Sequence, residues 1–342
     1  MPFHRNLRHR LIRAAVAGAT VVAVGACSSD PVEAPPPTIT PAAAADSPPA
    51  ATPQAGEVRP IDGPGLTSVF DRTTGSLVVL TGTGSSAATL AVIPTTGASR
   101  TVPLPSPASS LAGDGDGTVY AAVRGGYVRV ALAGDVVTPF EVDGAPDVDF
   151  TAITRRGDGR LALGTADGAV YTLESDTAVA ARLQIFARVD GLAAQGDTVV
   201  VLDRGQTSVT TVDPSGDDAG QALRAGEGAT TIAADSAGRV LVADTRGGAL
   251  LVFGADPLIL RQRYPVAGAP YGLTGSARLA WVSETATNTV VGYDLATGIP
   301  VEKVRYSTVR QPNSLAFDDE SNTLFVVSGS GAGVQVIKEA TP

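Results

Sequence analysis

The sequence predicts an all-β fold of seven four-stranded antiparallel blades closed into a ring. Three observations predict it. A unit of about forty residues recurs seven times between 57 and 342. Each unit reads as four short strands joined by tight turns. A solitary strand-like segment also precedes the first unit, while the seventh unit lacks its fourth strand.

The first strands set the period. They are the segments 67–71, 110–114, 152–156, 191–195, 231–235, 272–276 and 314–318. Their second residues, Ser68, Leu111, Ile153, Leu192, Ile232, Leu273 and Leu315, stand 43, 42, 39, 40, 41 and 42 positions apart. Small residues dominate these strands, as crowding around a common axis requires. Second strands such as 76–80, 119–123, 198–202, 240–243 and 279–282 carry the β-branched bias of buried strands. Between first and second strands, Thr74-Gly75, Asp116-Gly117, Asp158-Gly159 and Ala237-Gly238 supply hairpin turns. The run Asp114-Gly-Asp116-Gly117 falls in such a turn and is read as turn chemistry, not as a calcium loop.

The ends predict closure. The seventh unit offers strands near 314–318, 323–328 and 333–337. The orphan 57–61 resembles the fourth strands of the other units and is expected to fill the missing outer position. Pro60 is tolerable there because an outermost strand need not donate every N–H. The ring is a β-propeller. Leu241-Val-Ala-Asp-Thr-Arg-Gly-Gly-Ala-Leu-Leu-Val-Phe253 resembles the NHL-type repeat, and the stretch Trp281–Gly298 resembles the YVTN-type repeat. Such repeats imply strands and turns over 57–342 and specify no reaction.

Ahead of the ring, residues 1–13 hold four arginines and both histidines, and 14–26 are uncharged. Thirteen residues are too few to span a bilayer, which takes about 20, but they suit a secretory signal over 1–26. Val24-Gly25-Ala26-Cys27 resembles the bacterial lipobox. That resemblance implies a lipid on Cys27 (diacylglyceryl, with further acylation such as palmitate), cleavage before it, and a lipoprotein held on the extracytoplasmic face of the cell membrane. Two or more acyl chains anchor stably, at ~0.8 kcal/mol per buried CH₂. Residues 28–56, with eight prolines and eight alanines, read as a disordered spacer. Lysine occurs only at 303 and 338, the usage of a high-GC, actinobacterial-like genome.

Composition excludes more than it assigns. Net charge is −9, and −13 once the four arginines before Cys27 are removed, which argues against nucleic acid as a partner. No histidine or cysteine occurs after Cys27, so the body has no disulfide and no Ser-His-Asp triad. A lyase of the streptogramin type resembles this repeat pattern but needs a catalytic histidine. A metal-dependent lactonase would need converging Glu, Asn and Asp oxygens, and the body offers only Asn288, Asn313 and Asn322. No catalytic residue, metal site or cofactor is assigned. The alternative, a hydrolase or lyase using loop-face carboxylates, stays open.

In a propeller the connections into first strands share a face with the loops between second and third strands. That face is expected to carry Arg124, Asp167, Asp203, Arg204, Asp244, Arg246 and Glu284, with Tyr271 on an incoming connection. The arginines are read as contacts for anions, and Asp203, Asp244 and Glu284 for cations. The expected role is a non-catalytic, monomeric binding scaffold engaging an envelope protein, glycan or small ligand.

Overall fold

The computed structural model describes residues 37–82 and 86–342. The expected signal, the lipobox and Cys27 lie outside them. The described residues fall in one compact unit, Pro36–Pro342, and among them no helix is long and apolar enough to cross a membrane. They form seven four-stranded antiparallel sheets. Numbered by position along the chain, blades 1 to 7 begin with the inner strands Gly65–Asp71, Ala108–Gly113, Phe150–Arg155, Gly191–Gln195, Ala229–Ala234, Pro270–Gly275 and Pro312–Asp318. Every expected first strand falls within or against one of these.

There is no single core. Seven apolar clusters fill the seven interfaces between successive blades, including the one between blades 7 and 1. This explains the uninterrupted apolar run of each second strand. In blade 5, Val240 and Val242 pack toward blade 4 while Leu241 and Ala243 pack toward blade 6. A strand flanked by a sheet on each side buries both of its faces, and a period of two deals its residues to opposite neighbours. Outermost strands face solvent on one side and alternate, as in Val179–Gln184.

The ring closes as expected. Glu57–Arg59 is the outer strand of blade 7, antiparallel to Val334–Ile337, with Glu57 opposite Val336 and Arg59 opposite Val334. Pro60 lies one residue past the paired stretch. The first turns behave as read: Gly75 and Gly117 have φ of 58° and 96°, a region glycine enters without a Cβ penalty. Asp114 Oδ1 accepts the amides of Asp116 (2.8 Å) and Thr118 (3.0 Å), so this aspartate closes a hairpin turn. Trp281 is fully buried and stacks on Phe317 at 5.6 Å, the wall packing expected of it.

Residues 37–56 depart from expectation. They do not extend as an unpacked spacer but lie along the loop face. Small and proline residues cannot build a core, yet their carbonyls can be held by side chains of the ring.

Candidate binding face and axial channel

The seven inner strands wall an axial channel of about 660 Å³. Its sides mix apolar residues with serines and threonines, and many of the hydroxyls are already engaged. Ser109 Oγ donates to Phe150 O (2.7 Å), Thr151 Oγ1 to Val189 O (2.5 Å), and Thr231 Oγ1 to Tyr271 O; Ser68 and Ser314 join through their hydroxyls at 2.9 Å. Each contact links one blade to its neighbour. An inner strand is a sheet edge with backbone groups left over, and a short hydroxyl side chain can satisfy them across the blade boundary. At the loop face the channel mouth is lined by Asp190, Arg204, Tyr271 and Asn313.

The loop-face residues singled out by sequence divide in two. Asp203, 1% exposed, accepts the amides of Ala187 (2.9 Å), Arg188 (3.2 Å) and Gln206 (2.9 Å). Asp244, fully buried, accepts those of Glu227 (3.0 Å), Gly228 (2.8 Å) and Gly247 (3.0 Å). Each carboxylate ends the second strand of its own blade and ties the following loop to the incoming connection of that blade. Glu284 is 5% exposed, pairs with Arg305 at 2.7 Å and accepts from Thr289 Oγ1 at 2.7 Å. Hydrogen bonding to Glu302, opposed by burial and reinforced by the bond to Glu284, raises the Arg305 pKa above its ordinary value. The same contact holds the Glu302 carboxyl below the usual glutamate range. Burial, then the nearby Glu284 charge, raises the Tyr293 phenol. These acids organise loops.

The second group is open or holds the N-terminal segment. Arg124 is 64% exposed and reaches only Asp147 (3.4 Å), itself 92% exposed. Asp167 is exposed, accepts from Thr165 Oγ1 at 2.5 Å and lies 4.0 Å from Arg182. Arg204 and Arg246, read as contacts for anions, donate to main-chain carbonyls, those of Ala42 and Thr40 (2.7 Å). Tyr271 is part of the inner strand of blade 6, not of the connection before it, and is partly buried at the channel wall. Asn288 and Asn313 meet on Gln311, while Asn322 lies apart in the first turn of blade 7. Asn288 Nδ2 binds Pro48 O, Asn313 Oδ1 accepts from Gln311, and Asn322 Oδ1 accepts from Thr341. Among the described residues no three of His, Cys, Asp or Glu form a group able to hold a metal ion.

Sequence reasoning missed Arg310, Gln311 and Gln335 and weighed Asn288 only as a metal ligand; all four contact residues 45–55. No motif marks them. It also passed over Asp147, 92% exposed on the loop connecting blades 2 and 3.

No family model and no curated protein matches the chain, so the likeness to NHL-type and YVTN-type repeats stands on the residues quoted above. Solved structures do match. U3-55K aligns at a TM-score of 0.70 with 12% identity, over 84% of this chain and 99% of its own. A streptogramin B lyase aligns at 0.67 with 11% identity, over 83% and 95%. A catalytically inactive histidine-to-alanine variant of virginiamycin B lyase from Staphylococcus aureus, with quinupristin, aligns at 0.65 with 14% identity, over 84% and 96%. The chain is a seven-bladed β-propeller. At such identities the likeness shows the fold alone.

Proposed function

We propose that this chain is an extracytoplasmic lipoprotein, anchored through Cys27, whose propeller is a binding scaffold presenting its loop face to a protein, glycan or small ligand of the cell envelope. The observation that carries the reading is the division of charge on that face. Buried carboxylates brace the loops from within, while Arg124, Asp147 and Asp167 stand in solvent on blades 2 and 3. Rigid loops with solvent-exposed surface charge suit selective association, where charge sets specificity and encounter rate more than affinity.

Three of the similar structures are lyases, one of them a catalytically inactive histidine-to-alanine variant. This chain has no histidine after His9, which favours binding over lyase chemistry. Ten residues lie between Cys27 and Thr38, and Thr38 lies against Gly205 on the loop face. The test is site-specific crosslinking from the two faces of the anchored protein. A partner taken from the loop face and lost when Arg124, Asp147 and Asp167 are reversed in charge supports the reading; a partner indifferent to those reversals overturns it.

A further inference from the structure

We propose that the loop-face surface over blades 4 to 7 is a binding site for extended, proline-rich peptide, and that residues 38–55 are its resident ligand. The inference deepens the binding reading above and rests on it.

The contacts have one character. Six side chains of the ring donate to six main-chain carbonyls of the segment: Arg246 to Thr40, Arg204 to Ala42, Gln311 to Ala45 (2.9 Å), Arg310 to Ser47 (3.2 Å), Asn288 to Pro48 (2.8 Å) and Gln335 to Ala55 (2.7 Å). Only three segment amides are returned, from Ile39 to Gly205 O, Ala45 to Thr285 Oγ1 and Ser47 to Gln311 Oε1. Proline has no N–H to offer but keeps its carbonyl. A surface built of side-chain donors therefore suits a chain with prolines at 41, 48, 49 and 53, which loses little conformational freedom on docking.

Side-chain reading is confined to two small pockets. Ala42 (7% exposed) and Ser47 (5%) are buried, whereas the residues at 41, 43, 46, 48 and 49 are exposed. A side chain at Gly228 would run into Ala42, so the glycine makes the first pocket. Ser47 Oγ donates to Thr285 O at 2.6 Å in the second. The ligand class is thus an extended Pro/Ala-rich peptide with a small residue and a serine five positions apart.

Before Glu57 the segment pairs with no strand, so it can leave without breaking a sheet ladder. Covalent attachment gives it an effective concentration in the millimolar range. A peptide in trans must therefore compete against it, and the site is open in proportion to its local release.

The experiment replaces residues 38–48 by a Gly/Ser run of equal length in the full chain and adds a fluorescein-labelled peptide of residues 37–49. Saturable anisotropy is expected with the replaced protein, at least tenfold weaker binding with the wild-type chain, and at least a tenfold loss when Gln311→Ala is added to the replaced protein. No binding by a replaced protein that still melts cooperatively overturns the proposal, as does binding indifferent to Gln311→Ala. If the replaced protein does not fold, hydrogen exchange in the wild type decides. Exchange of the Ile39, Ala45 and Ser47 amides by local opening, faster than those of the second strands, supports an exchangeable ligand. Exchange of these amides only with global unfolding overturns it. Peptide binding reads blades 4 to 7 and the charge reversals read blades 2 and 3, so failure of the peptide site is distinguishable from failure of the binding reading on which it rests.

Discussion

Ser47 and Gln311 exchange hydrogen bonds in both directions. The Ser47 amide donates to Gln311 Oε1 at 3.1 Å, and the Gln311 amide donates to Ser47 Oγ at 3.1 Å. Because Ser47 Oγ also serves Thr285 O, one buried hydroxyl joins the N-terminal segment to blades 6 and 7. Ser47→Ala strips the Thr285 carbonyl of that donor, at a cost of about 1–2 kcal/mol. The expected result is a roughly tenfold or greater loss of exchange protection at Ala45 and Ser47, with protection of the second strands unchanged.

Asp244 and Arg124 predict opposite outcomes. Asp244→Ala leaves three loop amides without their acceptor and opens a void beside Gly226 and Gly247. Hydrogen bonds to a charged group contribute about 1.5–3 kcal/mol, so urea denaturation is expected to show a loss of at least about 2 kcal/mol. Arg124→Ala breaks one exposed contact and is expected to stay within about 0.5 kcal/mol of wild type.

Closure of the ring is tested at Gly56, whose φ is +68° and where a Cβ would run into the Val336 carbonyl. Gly56→Ala should lower unfolding stability by about 1–3 kcal/mol. It should also loosen Glu57–Arg59 and raise exchange at the outer edge of blade 7. A variant as stable as wild type would show that the clasp contributes little.

The Glu302–Arg305 pair predicts a pH dependence. Its hydrogen bond from Arg305 depresses the folded-state pKa of Glu302. A depressed carboxyl stabilises the fold above its unfolded pKa, and that contribution disappears as pH falls through the folded value. Both side chains are 41% exposed, so solvent screens the pair. Glu302→Gln should therefore cost less than about 1 kcal/mol at pH 7, and the gap between the two proteins in urea melts should narrow as the pH falls below the usual glutamate range. A gap that widens in acid would reverse the sign of the argument.

The ring was legible because its signal is repeated. Seven marker residues at near-constant spacing, Gly75 and Gly117 in their turns, and the orphan strand at 57 each state a backbone requirement in residue type. The role of Asp203 and Asp244 was not, since an acid after a second strand reads the same whether it faces solvent or gathers amides beneath a loop. The seat of residues 38–55 was less legible still. Alanine and proline lack the surface to signal packing, and their partners, from Arg204 to Gln335, grip carbonyls that every residue carries. Arg204 and Arg246 were singled out by position, but nothing in sequence shows that each ends on a backbone oxygen.

The most direct measurement places a photo-crosslinking amino acid at Asp147 on the loop face or at Asp116 on the opposite turn face, in the full-length protein expressed in a bacterial envelope. The binding-scaffold account predicts a discrete adduct from position 147, absent from position 116, and abolished by reversing the charges of Arg124 and Asp167. Equal adducts from both faces, or an adduct from 147 that survives those reversals, would contradict it.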